Sequence, residues 1–226
     1  MTNYNTNRRR EINLPSKRVV IFAGGVLSED FLHHIDEEDF IIGADSGALF
    51  LVSRGITPDI SVGDFDSVSP EALEEIRAGS KETITCDPVD KDLTDSELAL
   101  DLALNTQPES ILMMGVTGTR MDHTLASIQM MTRALQRQIS CSVMDANNFI
   151  TLTGSQVHVH EQGFTYVSLL PLTPEVTGIT LQGFQYPLDN ATLKLGQSLA
   201  VSNRLLEETG TVTIESGLLL IIQSKD

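Results

Sequence analysis

Residues 59–67 read DISVGDFDS, so a short apolar segment runs directly into two aspartates and a serine. An apolar run that leads into a polar, Asp-containing segment recurs in FIIGAD (40–45), TITCDPVDKDLTD (83–95) and ILMMGVTGTRMDH (111–123). Amphipathic segments lie between these runs, for example residues 98–103, where leucines and alanines recur at helical spacing. Strands that alternate with helices indicate an α/β fold with a mostly parallel sheet covered on both faces.

The pattern changes after about residue 147. Short apolar runs now alternate with glycines and prolines, at residues 166–170, 198–201, 211–214 and 218–222. Because no long amphipathic helix is evident there, this part is typical of an antiparallel sandwich or barrel. We therefore predict an α/β domain over residues 18–147, followed by a small all-β, sandwich-like domain over residues 148–226.

Composition narrows the classes of function. The formal net charge of −16 disfavours non-specific binding to nucleic acid, whose phosphates attract Lys and Arg. No apolar run reaches the roughly 18 to 20 residues that span a bilayer, and residues 1–15 do not read as a secretory signal. Cys86 and Cys141 lie far apart and form no CxxC motif, which favours free thiols in a reducing compartment. We expect a cytoplasmic protein that binds neither nucleic acid nor membrane.

The acidic residues stand where strands are predicted to end. Parallel strands bring their carboxyl ends to one edge of the sheet, where ligands bind in open α/β folds. That edge would collect Asp45, Asp64, Asp66, Asp90, Asp92 and Asp95. So many carboxylates repel one another, and Mg²⁺ would relieve the repulsion because it prefers carboxylate and phosphate oxygens. In residues 63–66, an extended backbone would point both acids to one side and Phe65 into the core.

Two predicted helix starts add detail to this edge. Thr94 and Glu97 fit a capping box, which puts Asp95 in the first turn of a helix, and Thr119 could cap the next helix in a similar way. Amide groups after Gly118 and the guanidinium of Arg120 are suited to phosphate oxygens. The sequence contains no GxxxxGK[ST], GxGxxG, GxSxG or HExxH motif, which disfavours P-loop kinases, Rossmann dehydrogenases, α/β-hydrolases and zincins.

Taken in order, GADSGA (43–48), PDISVGDFDS (58–67), DKDLTD (90–95) and GVTGTRMDH (115–123) resemble the motif series of the thiamine pyrophosphokinase family. AVSN (200–203) resembles the Ser-Asn segment of that family. The resemblance extends from about Val19 to the C-terminus. It implies an N-terminal α/β domain, a C-terminal β-sandwich and a homodimer with active sites at the subunit interface. It also implies transfer of the terminal pyrophosphoryl group of ATP to the hydroxyl of thiamine, giving thiamine diphosphate and AMP.

The resemblance also suggests roles for individual residues. Those around Mg²⁺ and the reacting phosphates are Asp45, Asp64, Asp66 and Asp95, of which Asp64, Asp66 and Asp95 are the expected metal ligands. Those on the ATP side are Asp92, Gly118, Arg120, Asp122 and His123. Those that face thiamine are Tyr186, Ser202 and Asn203. The chain departs from the family at Thr119, where many relatives have glycine, and it has no Trp to stack on thiamine, a role that Tyr186 could take.

The expected reaction is an in-line attack by the substrate hydroxyl on the β-phosphorus of ATP, with Mg²⁺ neutralising the charge on the phosphates. An aspartate would accept the proton, and Asp95 is our first candidate. Three alternatives stay open at this point. The acceptor could be another small alcohol such as a pterin, the chain could be a non-catalytic module that binds Mg²⁺ and nucleotide, or it could be a Mg²⁺-dependent phosphohydrolase.

Overall fold

A computed structural model describes residues 17–86 and 93–226. Strands and helices alternate as predicted through the first part of the chain. A 3₁₀ helix at Glu29–His34 follows the first strand. The other elements are β1 (Arg18–Phe22), β2 (Phe40–Ala44), α1 (Ser46–Val52), β3 (Ile60–Gly63), α2 (Pro70–Gly79), β4 (Glu82–Thr85), α3 (Asp95–Asn105), β5 (Ser110–Met114), α4 (Met121–Leu135) and β6 (Ser140–Met144).

The central strands are apolar on both faces because helices cover both. Val19 and Ile21 of β1 pack in the core beneath α3 and α4, while Val20 and Phe22 pack with Leu51 of α1 on the opposite face. Strands β1 to β6 are all paired in parallel. The predicted α/β sheet, covered on both faces, is therefore confirmed.

The rest of the chain is all β. Its strands are β7 (Asn148–Thr153), β8 (Val157–His160), β9 (Tyr166–Pro171), β10 (Glu175–Gln182), β11 (Ala191–Lys194), β12 (Thr209–Thr213) and β13 (Leu219–Ser224). Four of them form a separate antiparallel sheet in the order β11-β10-β12-β8, which confirms the predicted all-β C-terminal part. Among the described residues, no helix is long and apolar enough to cross a bilayer.

The three remaining strands extend the large sheet, whose order is β4-β3-β2-β1-β5-β6-β7-β13-β9. One face of β13 contributes Leu219 and Ile221 to a second core shared with the small sheet, while Leu220 belongs to the core under α4. The predicted boundary between residues 147 and 148 thus falls between β6 and β7, which are antiparallel neighbours in one sheet. The division into two domains stays a prediction.

One predicted strand is wrong. Residues 198–201 form a turn, in which the amide of Val201 donates to the carbonyl oxygen of Ser198 at 3.2 Å. Of its apolar side chains only Ala200 is buried, whereas Leu199 is 73% exposed and Val201 is 44% exposed. An apolar run that is mostly solvated gives no burial energy to a strand, so the short run was misleading.

Candidate active site

Three carboxylates meet where β2 and β3 end. Asp45 directly follows β2 and precedes α1, and Asp64 and Asp66 directly follow β3. One oxygen from each lies within 4.8 Å of one from each of the others. Parallel pairing of β2 with β3 brings the two segments side by side, as expected from their positions at strand ends.

Asp45 has an unusual backbone and an unusual side chain. Its φ of 51° and ψ of −125° are rare for any residue other than glycine, and its side chain does not cap α1. Ser67 Oγ donates a 2.6 Å hydrogen bond to Asp45 Oδ2. Asp45 Oδ1 is buried and has no hydrogen-bond partner among the described residues. An unsatisfied buried carboxylate oxygen is costly, and a divalent cation held with Asp64 and Asp66 would satisfy it, so these residues fit Mg²⁺.

Asp64 and Asp66 converge by a turn and not by the extended backbone that we predicted. The strand ends at Gly63, Phe65 has a φ of 56°, and the amide of Asp66 donates to Asp64 Oδ1 at 3.1 Å. Phe65 is buried against Ala48 and Ile76, so the prediction that it points into the core is confirmed. A left-handed residue turns the chain sharply, and this keeps both acids at the strand end while Phe65 enters the core.

Asp95 lies beside this group at the first position of α3. Thr94 caps the helix as predicted, because its Oγ1 accepts from the amide of Glu97 at 3.2 Å. The carboxylate of Glu97, expected to reach back to the cap, accepts from Arg133 of α4. A Cβ on Gly63 would stand 3.3 Å from both Asp95 Oδ1 and the amide nitrogen of Asp45, so Gly63 lets the two segments approach.

A cavity of about 290 Å³ opens between the acids and the start of α4. It is lined by Gly24, Gly25, Ala44, Asp45, Thr94, Asp95, Ser96, Gly115, Val116, Thr117, Gly118, Thr119, Arg120, His123 and Ser127. The cavity therefore brings together five of the residues that the sequence predicts for catalysis and ATP binding, namely Asp45, Asp95, Gly118, Arg120 and His123. Asp90 and Asp92 lie outside the described residues.

Gly24 and Gly25 are not among the residues predicted from the sequence. The amide of Gly25 donates to the carbonyl oxygen of Gly115 at 2.6 Å, and a Cβ on Gly25 would lie 2.4 Å from the carbonyl oxygen of Thr117. Only glycine allows the β1 and β5 loops to approach this closely. The signal was present in the sequence, since a glycine pair directly follows the apolar run of β1 at the edge where ligands bind.

Arg120 and Asp122 form a forked ion pair at the cavity rim. Arg120 donates from Nε to Asp122 Oδ1 at 3.2 Å and from Nη2 to Oδ2 at 2.6 Å, and both side chains are largely exposed. The hydrogen bond from Arg120 lowers the pKa of Asp122, and the same bond raises the pKa of Arg120. Thr119 does not cap α4, because the helix begins at Met121 with Arg120 at the cap position and without a side-chain cap.

The predicted thiamine-facing residues lie elsewhere in the chain. The backbone of Asn203 pairs with Val167 of β9, the edge strand of the large sheet. Five strand spacings separate β9 from β1, which corresponds to about 24 Å at ~4.8 Å per spacing. Tyr186, Ser202 and Asn203 therefore form a second group, remote from the acids of the same chain.

Asn203 holds the backbone of this second group. Its Oδ1 accepts from the amides of Tyr186 at 3.0 Å and Arg204 at 2.8 Å, and its Nδ2 donates to the carbonyl oxygen of Tyr186 at 2.8 Å. Asn203 is 5% exposed, whereas Tyr186 is 60% exposed. Ser202 is exposed with a φ of 62°, and its amide donates to Ser168 Oγ at 3.0 Å. The group thus presents Tyr186 and Ser202 at the surface on a scaffold that Asn203 stabilises.

Two family models match most of this chain. Residues 31–143 match the family model "Thiamin pyrophosphokinase, catalytic domain", and residues 155–219 match "Thiamin pyrophosphokinase, vitamin B1 binding domain". A protein from Bacillus subtilis (strain 168) named thiamine pyrophosphokinase is 35% identical over 93% of this chain and 100% of its own length.

Solved structures of thiamine pyrophosphokinases have the same fold as this chain. The crystal structure of thiamine pyrophosphokinase from Bacillus subtilis has a TM-score of 0.86 at 34% identity, covering 93% of this chain and 100% of that chain. That of thiamin pyrophosphokinase from Geobacillus thermodenitrificans has a TM-score of 0.83 at 30% identity, covering 92% of this chain and 98% of that chain. The chain belongs to the thiamin pyrophosphokinase family.

Proposed function

We propose that this chain transfers the terminal diphosphate group of ATP to the hydroxyl of thiamine, giving thiamine diphosphate and AMP. Membership of the family supports this reaction, since the Bacillus subtilis relative that aligns over nearly the whole of this chain is named for that activity. The structural observation that carries the proposal is the group of three carboxylates with the buried, unpartnered Asp45 Oδ1, beside a cavity with a glycine wall and an arginine rim.

In this proposal Asp45, Asp64 and Asp66 hold Mg²⁺, which neutralises charge on the phosphates when bound. Asp95 was predicted from the sequence as a third ligand in place of Asp45. The mutual approach of Asp45, Asp64 and Asp66 favours Asp45 in that role. A carboxylate that ligates a metal is a poor base, and we therefore assign to Asp95 the acceptance of the hydroxyl proton.

The remaining residues of the cavity bind and orient ATP. Gly25 and Gly118 line the cavity without side chains, so that phosphates can approach the backbone there, and Arg120 and His123 supply donors at the start of α4. Asp122 orients the guanidinium of Arg120 through two hydrogen bonds. We keep Asp92 as an ATP-side residue on the family motif alone.

The reaction is balanced without a further reactant. The thiamine oxygen forms a bond to the β-phosphorus of ATP, and the bond from that phosphorus to the oxygen bridging to the α-phosphorus breaks. AMP leaves with that oxygen, and Asp95 takes the proton of the thiamine hydroxyl. Arg120 lies at the rim of the cavity, where it stabilises the negative charge of the phosphates.

The thiamine side requires a second copy of the chain in this proposal. Tyr186 and Ser202 present an exposed surface about 24 Å across the sheet from β1, so one chain would not bring thiamine to its own acids. A homodimer in which this surface faces the acidic cavity of the partner would do so, with residues 18–147 binding ATP and residues 148–226 binding thiamine.

The two cysteines form no disulfide with each other, which supports a cytoplasmic location. The strongly acidic composition supports the absence of a role in nucleic-acid binding.

The test is a reaction with purified protein, ATP, Mg²⁺ and thiamine, in which AMP and thiamine diphosphate are separated by chromatography and each component is omitted in turn. Equal amounts of the two products, lost without Mg²⁺, support the proposal. If product forms only with a different alcohol, such as a pterin, that alcohol replaces thiamine as the acceptor. ATP binding without AMP would indicate a non-catalytic module, and phosphate release without an acceptor would indicate a phosphohydrolase.

A pair of variants tests the acids. Asp64→Asn and Asp66→Asn are expected to abolish turnover while the far-ultraviolet circular dichroism stays that of the wild type. Both carboxylates lie at a turn outside the core, so the fold does not depend on their charge. Wild-type rates in both variants would refute the assignment of the metal to this group.

A further inference from the structure

The two helices that border the cavity are joined by an ion-pair cluster that lies outside it. Arg133, near the end of α4, donates from Nη1 to Glu97 Oε1 of α3 at 2.8 Å and from Nη2 to Asp101 Oδ1. The three side chains are only 28–34% exposed, so water and salt screen these pairs less than pairs at an open surface. Arg133 does not line the cavity, and any effect on the site must act through the helices.

The geometry of the cluster constrains α3 in more than one direction. Glu97 and Asp101 are four residues apart and lie on one face of the helix. A single guanidinium that bonds both fixes the rotation of α3 about its axis and its position along α4, because the planar fork has defined directions. Glu97 also donates its amide to Thr94 at the cap, so the bond from Arg133 reaches the first turn, which contains Asp95.

The cluster also balances charge. Helix α3, DSELALDLALN, carries three carboxylates and no basic residue. Arg133 partners two of them, Glu97 and Asp101, and leaves Asp95 as the acid of this helix that lines the cavity. Without Arg133, two unbalanced carboxylates would add negative potential beside a cavity that is proposed to receive a polyphosphate.

We propose that Arg133 is a positioning residue, which sets Asp95 on α3 at the correct place relative to His123 on α4 and Arg120 at the cap position of α4. This inference rests on the proposed function, because it concerns the alignment of the acid that accepts the proton with the groups that bind phosphate. Arg133 touches neither substrate. It acts by holding the first turn of α3 against α4.

The experiment compares Arg133→Met with the wild type and with Arg137→Met, a matched change at an exposed arginine just beyond the end of α4. We expect Arg133→Met to lower kcat by about tenfold or more in folded protein, since a misplacement of about 1 Å costs up to ~100-fold in rate. The KM for ATP should rise with the added negative potential. Arg137→Met should leave both constants within about twofold of the wild type. A kcat for Arg133→Met within about twofold of the wild type would overturn the proposal.

Arg133→Lys separates position from charge. A lysine restores the positive charge but has no planar fork, so the KM for ATP should return to the wild-type value while kcat stays reduced. Full recovery of kcat would show that the charge alone matters and would overturn the positioning role. If Arg133→Met fails to fold, Glu97→Gln and Asp101→Asn each weaken one bond, and wild-type kcat in both would equally overturn it.

Hydrogen exchange gives a readout that does not depend on turnover. In Arg133→Met the peptide spanning residues 93–101 should exchange at least about tenfold faster than in the wild type, with unchanged exchange in β1. A wild-type protein that forms no thiamine diphosphate would refute the proposed function but not the restraint on α3. Unchanged exchange in residues 93–101 would refute that restraint whether or not the enzyme is active.

Discussion

Replacing Asp45 by Asn is expected to stabilise the metal-free protein and to remove its response to Mg²⁺. Asparagine tolerates the φ of 51° and can keep the hydrogen bond from Ser67, so the change removes the charge and little else. The carboxylate oxygens of Asp45, Asp64 and Asp66 lie within 4.8 Å of one another. At that separation each like-charge pair costs about 1 kcal/mol in water and ~3 kcal/mol at an effective dielectric constant of 20.

The lower value applies here because Asp66 is exposed. Two pairs involve Asp45, so the variant should gain about 2 kcal/mol, and at ~2 to 4 °C per kcal/mol its Tm in EDTA should rise by about 4 to 8 °C. In the wild type, Mg²⁺ at ~100 times its Kd should add about 2.7 kcal/mol to the free energy of unfolding. The variant should lose most of this gain.

The assay is thermal unfolding followed by circular dichroism, in EDTA and across a Mg²⁺ titration. Asp189→Asn is the control, because it removes the same charge from an exposed position in the β region and should change neither the Tm in EDTA nor the Mg²⁺ response. The reasoning would be refuted by an Asp45→Asn protein that is no more stable than the wild type in EDTA. It would also be refuted by a variant that Mg²⁺ stabilises as much as the wild type.

Three further outcomes are expected. Arg120→Met should weaken ATP binding by about 10- to 100-fold in calorimetry with an unchanged Tm, because this exposed guanidinium would make charge-assisted hydrogen bonds to the phosphates. Asn203→Ala should lower the free energy of unfolding by about 1 to 3 kcal/mol in urea, because it leaves the part-buried backbone groups of Tyr186 without the partners that Asn203 supplies. An unchanged urea midpoint would contradict this role of Asn203. Burial raises the pKa of Cys141 to about 12, so at pH 8 iodoacetamide should modify Cys141 only after the protein unfolds. The half-buried Cys86 should react faster, and mass spectrometry of the alkylated native protein distinguishes the two cysteines.

Much of the α/β region could be predicted because its signals are local. Most strands are short apolar runs, a capping residue marks the start of α3 at Thr94, and the strand-end rule then places Asp45, Asp64 and Asp95 at one edge. The cavity that joins Asp95 to Arg120 follows from the same rule. A polar segment directly after a buried parallel strand is strong evidence in an open sheet.

The details that could not be predicted depend on tertiary structure. Left-handed backbone at Asp45 and Phe65 has no local signal, since neither is glycine, and only the surrounding contacts hold it in place. The side chain of Asn203 is used to clamp the Tyr186 backbone, which no motif reveals. The run at residues 198–201 was apolar enough for a strand, but it forms a turn that contacts β9 only through the bond from the Leu169 amide to the Ala200 carbonyl oxygen, and most of its apolar side chains are exposed.

The position of β13 has a consequence for the order in which the chain can fold. It is hydrogen-bonded to β7 on one side and to β9 on the other, and both of these precede it by about 50 residues or more. During synthesis, β9 has no place in the large sheet until residues 219–224 have emerged from the ribosome. The early α/β segment can collapse first, but its sheet keeps an open edge at β7 until then. Completion of the large sheet is therefore a late step in folding, and a chaperone that covers the β7 edge would protect the chain from aggregation until β13 pairs.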